Sequence, residues 1–355
     1  MPSFRSSLTA LLAAAFWTTA SAYLNYTTVT GIFLQDNNAT NATTFNFTAS
    51  NFGLINRTYP SDSSCPKPAS GELTQWQLLA HYISYLNKNA ASNVQYRLFW
   101  FGRHGEGYHN AAESYYGTPA WNCYYSELDG NATVTWADAH LTPTGVKQAQ
   151  SVNAFWAKEI SEQKIPFPQK YYVSPLDRCL ATAQLSFQGL DLPKQYPFIP
   201  EVKELFRESI SGHTCDLRSS KTYIHEQFPT YTFEKGFVET DPLWVALHGE
   251  TTIDQEIRSK KVLDQVYAEL TEETEYVSVT SHSGEIGALL EVLGHRSFGL
   301  STGAVIPVLV KAEKLEEPAP TTATQAYSVL ATCTSPPTVT ASTCDDCSCC
   351  TKSAR

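Results

Sequence analysis

The sequence predicts an α/β fold, a three-layer sandwich with a mostly parallel central sheet and helices on both faces. Short apolar runs such as Leu98-Phe99-Trp100-Phe101 have the unbroken hydrophobicity of strands buried on both sides. Segments with apolar residues at helical spacing alternate with these runs. Several runs also stop abruptly in turn residues, and open parallel sheets bind ligands at that carboxyl edge.

Taken in order, Leu73–Leu86 carries Trp76, Leu79, Ala80 and Ile83 on one helical face. Tyr96–Phe101 is the first core strand. Leu141-Thr142-Pro143 opens a second helix, with Thr142 as N-cap and Pro143 at the first helical position. Its apolar face runs through Val146, Ala149, Val152 and Phe155-Trp156. Lys170–Val173 is a short strand, followed by a helix through Ala181, Ala183 and Leu185. Ile253–Leu270 is an amphipathic helix, Tyr276–Thr280 a strand, Glu285–Leu293 a helix and Ala304–Val310 the last strand.

The ends of the chain read differently. Arg5, the apolar stretch Leu8–Trp17 and the small-residue site Ala20-Ser21-Ala22 form a secretory signal pattern over residues 1–22. That apolar stretch is too short for a membrane anchor. Residues 23–70 read as a glycosylated N-terminal extension, largely irregular, with a possible strand at Val29–Leu34. Asn25, Asn38, Asn41, Asn46, Asn56 and Asn131 each open an N-x-Ser/Thr triplet. Residues 71–310 form the folded domain. From Lys311 to residue 355 the composition shifts to Ala, Pro, Thr and Ser and predicts a disordered, Cys-containing tail.

The chain has 9 cysteines, which suits an oxidising compartment and leaves one thiol over. Cys65 with Cys123 is the bridge expected in the body. Cys344, Cys347, Cys349 and Cys350 offer thiolates for a soft metal, but in an oxidising compartment disulfides are the expected state. The formal net charge of −10 argues against a nucleic-acid partner, which requires a basic face. An anionic substrate then needs a local basic pocket.

Such a pocket is written into the turns. Gly102-Arg103-His104-Gly105 ends the first core strand, Ser174-Pro175-Leu176-Asp177-Arg178 follows the second, and Ser281-His282-Ser283-Gly284 follows the third. Parallel strands end along one edge, so Arg103, His104, Arg178 and His282 are expected to converge there. Arginine matches phosphate oxygens with a planar fork, and a neutral imidazole can attack phosphorus. Ser283 and Gly284 open a helix whose free amides favour an anion, although Ser283 also suits a plain N-cap. A zinc site through His104, His109 and His282 is the competing reading, but His104 and His109 lack the helical i, i+4 spacing of zinc proteases. Phosphoryl transfer also needs a proton donor, for which Glu201, Glu204 and Glu208 are the nearby candidates.

These motifs resemble the histidine phosphatase superfamily, in its phosphoglycerate-mutase-like branch and most closely its secreted fungal members. The resemblance runs from about Trp76 to Val310. It rests on Arg103-His104-Gly105-Glu106, Ser174-Pro175-Leu176-x-Arg178, Arg207-Glu208 and Ser281-His282-Ser283-Gly284. It implies the corresponding fold, His104 as nucleophile, and Arg103, Arg178 and His282 as the phosphoryl clamp. It further implies Glu208 as acid and base, with Glu204 as second choice, and Asn110 as a supporting phosphate contact. No cofactor and no metal are implied.

The residues after Arg103-His104-Gly105, and Ser283 after His282, depart from the acid phosphatase and phytase branch. Two arginines beside His104 should lower its pKa. A carboxyl donor predicts an acid to mildly acidic optimum. His213 and Arg218 are expected to bind substrate, Arg218 either by clamping a second anionic group or as a surface ion pair. The expected function is hydrolysis of a small phosphorylated metabolite through a phosphohistidine by a secreted, N-glycosylated enzyme, with no membrane or nucleic-acid partner and the oligomeric state left open. A mutase-like phosphotransferase and an inactive secreted phosphate-ligand-binding protein are the alternatives.

Overall fold

The computed structural model describes residues 23–66, 71–317, 320, 322–337 and 347. Its strands are β1 (Tyr23–Thr28), β2 (Val94–Arg103), β3 (Lys170–Val173), β4 (Glu201–Val202), β5 (Thr232–Phe233), β6 (His248–Gly249), β7 (Tyr276–Ser281), β8 (Val305–Leu315) and β9 (Ser328–Val329). The helices are α1 (Gln75–Asn89), α2 (Tyr108–Tyr116), α3 (Thr118–Cys123), α4 (Pro143–Lys158), α5 (Asp177–Phe187), α6 (Lys221–Gln227), α7 (Thr252–Glu269) and α8 (Ser283–Val292).

The main sheet has 7 strands in the order β1-β8-β2-β7-β3-β4-β5. Strands β2, β7, β3, β4 and β5 are mutually parallel, while β8 runs antiparallel to β2 and to β1. Two residues per repeat explains the apolar run in β2. Phe99 and Phe101 face one core with Val277, Val279 and the α7–α8 side chains Val262, Val266 and Leu289. Leu98 and Trp100 face the other, with Trp76 and Ile83 of α1 and Val152 and Trp156 of α4. Trp100 is 1% exposed, and truncating it to alanine costs about 3–5 kcal/mol. The Thr142 cap forms as expected, its hydroxyl accepting the Gly145 amide at 3.1 Å.

The register sets the functional edge. In β2, Arg103 pairs with Ser281 of β7, and Val173 of β3 pairs with Thr280. His104, Ser174 and His282 are therefore the first residues past three neighbouring strand ends.

The flanks differ from the sequence reading. The strand expected at Val29–Leu34 lies instead at Tyr23–Thr28, where it pairs with β8. Segment 23–66 also sends Phe33, Phe47 and Phe52 into the core beside Trp76. The last main strand runs on to Leu315, and Ser328–Val329 pairs with His248–Gly249. Cys65 is a free thiol, and Cys123 bonds Cys347 across 224 residues, with Cα atoms 5.5 Å apart. Cys333 packs against that pair, its amide donating to the Cys123 carbonyl at 2.8 Å. The signal pattern and Cys344, Cys349 and Cys350 lie outside the described residues. Among the described residues no helix is long and apolar enough to cross a membrane.

Candidate active site

The turn after β2 holds His104 rigidly. Its amide donates to the Ser281 carbonyl at 3.0 Å, and its carbonyl accepts the Gly303 amide at 2.9 Å. The ring Nδ1 lies 2.7 Å from the Gly105 carbonyl. A carbonyl only accepts, so Nδ1 carries the proton and Nε2 keeps its lone pair. Gly105 and Gly145 let this turn press against the start of α4. A Cβ on Gly105 would stand 2.5 Å from the Gly145 oxygen, and one on Gly145 2.1 Å from the Glu106 oxygen.

Two arginines flank the ring. Arg178, on the first turn of α5, donates to the Cys215 carbonyl at 2.6 Å and to Asp216 at 2.7 Å. Arg103 donates to the Leu300 carbonyl at 2.6 Å. In both, the buried Nε has no protein acceptor. Each guanidinium is thus tethered by one end and keeps donor capacity for an anion. His282 donates to or accepts from the Ser174 hydroxyl at 2.6 Å, and its ring centre lies 5.1 Å from that of His104.

Burial, then the charges of Arg178 and Arg103, pull His104 well below the usual histidine pKa of 6.5. Burial and Arg178 do the same to His282. Burial also lowers Arg103, with Glu208 opposing. Burial lowers Arg178 too, but Asp216 more than offsets it and holds the group charged.

Glu208 faces this cluster from the loop after β4. Its carboxylate accepts the amides of Gly284 at 3.2 Å and Glu285 at 3.1 Å, at the start of α8. Arg258 of α7 secures the loop by donating to the carbonyls of Leu205, Arg207 and Glu208. An open cleft of about 630 Å³ brings Arg103, His104, Arg178 and Glu208 onto one surface.

Residues 99–301 match the model of the histidine phosphatase superfamily, branch 1. The chain belongs to the histidine phosphatase superfamily. A probable phosphoglycerate mutase of Arthroderma benhamiae is 47% identical over 82% of this chain and 85% of its own length. Phosphomutase-like protein 3 of Candida albicans is 36% identical over 71% and 77%. A solved structure described as mycobacterial hydrolase 1 is 17% identical with a TM-score of 0.38, over 63% of this chain and 99% of that one.

The other expected site residues of this superfamily member divide. Asn110 and His213 line the cleft. The Asn110 side-chain oxygen accepts the Gly107 amide at 3.0 Å, which fixes the amide group in the turn. Gly284 does not offer its amide to a phosphate, because Glu208 already accepts it. Ser283 is the first helical residue of α8, and His282 rather than Ser283 is the N-cap.

Arg218 is a correction. It is 3% exposed and binds Glu204 as well as the carbonyls of Ser219, Val238, Glu239 and Thr240. Its donors are committed to the fold and none reaches substrate. The same pairing, reinforced by Arg207, removes Glu204 as a proton donor.

His109 entered the sequence reading only through the competing zinc site, yet its ring centre lies 5.4 Å from that of His104 and its buried Nδ1 has no protein partner. Glu113 was also missed. Asn110 and Glu113 are three residues apart on α2, and this spacing is the signal that places both on the cleft side. Among the described residues, His213, Cys215 and Asp216 bring metal-ligand atoms within 4.8 Å of one another. The Asp216 oxygens are already engaged by Arg178 and the Ser211 hydroxyl, so the group orients the arginine.

Proposed function

We propose that the protein hydrolyses a small phosphomonoester through a phosphohistidine at His104. The observation that carries this reading is the His104 ring, its proton fixed on Nδ1 and its Nε2 lone pair left free, on the wall of a pocket shared with two tethered arginines. Nε2 attacks phosphorus in line with the ester oxygen while Glu208 donates a proton to that oxygen, releasing the alcohol. Arg103, Arg178 and His282 hold the equatorial oxygens as their charge spreads. Glu208, now ionised, takes a proton from water, whose oxygen displaces Nε2 and releases inorganic phosphate. Loss of the burial-lowered basicity would leave His104 protonated and unable to attack.

Rapid acid-free quenching with labelled substrate tests this reading. The wild type should carry acid-labile label on His104, and His104→Ala should carry none and lose turnover. Turnover that survives the substitution overturns the proposal. The name of the Arthroderma relative, a probable phosphoglycerate mutase, favours phosphoryl transfer between positions of one metabolite as a second reading. Product analysis separates the two, since only hydrolysis yields stoichiometric phosphate.

The chain is further read as secreted and N-glycosylated after loss of residues 1–22. Supporting this are the exposed acceptor asparagines Asn38, Asn41, Asn46, Asn56 and Asn131 and the Cys123–Cys347 disulfide. Mass spectrometry of protein from the culture medium, before and after deglycosylation, checks both points.

A further inference from the structure

We infer that the group esterified to the phosphate is an uncharged or cationic, hydroxyl-bearing organic moiety, and that a second anionic group is selected against. The inference rests on the phosphomonoesterase reading and adds the substrate class.

The charge in the cleft is sharply divided. Arg103 and Arg178 are both drawn onto the phosphoryl position beside His104. The cleft continues as a trough lined by Arg103 at its inner end and by Glu106, Asn110, Glu113, Ser114 and Thr118. Glu113 belongs to both regions. It lines the wall with Arg103 in both regions and with His213 in the one that holds His104, and its charge favours the protonated form of each. One oxygen of Glu113 accepts the Thr118 hydroxyl at 2.8 Å, and one of Glu106 accepts the Thr142 hydroxyl at 2.6 Å. The other oxygen of each remains an acceptor for substrate.

Among the described residues lining these two regions, no lysine or further arginine answers the carboxylates. His213 is kept neutral by burial, and Arg218 is bound to Glu204. A carboxylate or second phosphate on the substrate would face two like charges answered by Arg103 alone, which the phosphoryl group already engages. Hydroxyls instead find carboxylate oxygens, the Asn110 amide and the Ser114 and Thr118 hydroxyls as partners. Repulsion against the wrong substrate is a common source of specificity.

The test measures kcat/KM for two matched pairs on the purified full chain: glycerol 3-phosphate against 3-phosphoglycerate, and a hexose 6-phosphate against a hexose bisphosphate. The uncharged member of each pair is expected to be favoured by about tenfold or more, a preference that shrinks as salt is added. Glu113→Gln should narrow the ratio several-fold by raising kcat/KM for the anionic member. Preference for the anionic members, or a ratio untouched by both Glu113→Gln and Glu106→Gln, overturns the inference alone. Absence of any His104-dependent cleavage overturns the hydrolase reading, and this inference falls with it.

Discussion

The Glu208 carboxylate sits on the backbone of Gly284, accepting its amide at 3.2 Å across 76 residues of sequence. The adjoining Glu285 amide donates to the same carboxylate at 3.1 Å. Glu208 therefore fills the anion position at the start of α8, the position that sequence offered to phosphate. Helix N-termini attract anions through free amides and the aligned peptide dipoles. Here that attraction aims a side chain instead of a ligand.

Gly284 is what permits the approach. A Cβ there would lie 2.3 Å from a Glu208 oxygen. Gly284→Ala should displace the carboxylate and lower kcat about 10²-fold or more, the scale of a misplaced acid–base group. By helix propensity alone the change favours the helix by about 1 kcal/mol. A folded, slow variant is the expected result, read by circular dichroism and steady-state rates. Wild-type kcat would show that Glu208 tolerates the displacement and lacks the assigned role.

Glu208→Gln keeps the shape and removes the transferable proton. For alkyl phosphates kcat should fall about 10²–10⁴-fold. For an aryl ester such as nitrophenyl phosphate, whose leaving oxygen needs little protonation, formation of the phosphohistidine should fall much less. Equal losses in single-turnover rates for both esters would assign Glu208 to positioning alone.

These predictions concern a contact that the sequence hides, and the reason is distance. Arg103-His104, Arg178 and His282 were legible because each directly follows or closely trails an apolar strand, and parallel strand ends share an edge. Glu208 was placed only by its match to a family motif, since its partners lie on a helix 76 residues away. Arg218 was misread for a related reason. A lone arginine in a loop carries no local mark of whether its fork meets a ligand or main-chain carbonyls, and here it meets the latter. Strand β1 escaped notice because it is a half-buried edge strand: only Tyr26 of its residues is fully buried. The cleft side of α2 was legible in principle from the spacing of Asn110 and Glu113, but polar helix faces are usually solvent faces.

The buried histidines couple stability to pH. His104, His109 and His282 are all held well below 6.5 by burial and by the charge of Arg178. The unfolded chain takes up these protons near pH 6.5, while the folded chain resists them until lower pH. Below 6.5 the unfolded state therefore binds more protons, and stability falls as pH falls. Above 6.5 this effect vanishes. Each histidine contributes about 1.4 kcal/mol per pH unit within the window. Thermal midpoints between pH 7 and 5 should drop, with a shallower slope for His109→Gln. The same shift keeps Nε2 of His104 unprotonated through pH 6.5, so kcat/KM should not break there. Matching slopes for wild type and His109→Gln would remove His109 from this account.

Arg258 makes the most demanding prediction, because it joins the fold to the acid–base group. It is 8% exposed and pairs with Glu250 at 2.6 Å and Glu285 at 3.0 Å while holding the carbonyls of residues 205, 207 and 208. Arg258→Ala strands two buried carboxylates and should cost about 3–5 kcal/mol, enough to threaten folding. Arg258→Lys keeps the charge but replaces the planar fork with a single ammonium, which cannot reach all three carbonyls in the same geometry. That variant should fold, bind vanadate at wild-type stoichiometry, and lose about 10–100-fold in kcat on alkyl phosphates with little change in KM. Vanadate binding counts the intact sites, so a lower kcat per site isolates the positioning of Glu208 from simple loss of folded protein. Full kcat per site in Arg258→Lys would mean that the loop holds Glu208 without the fork.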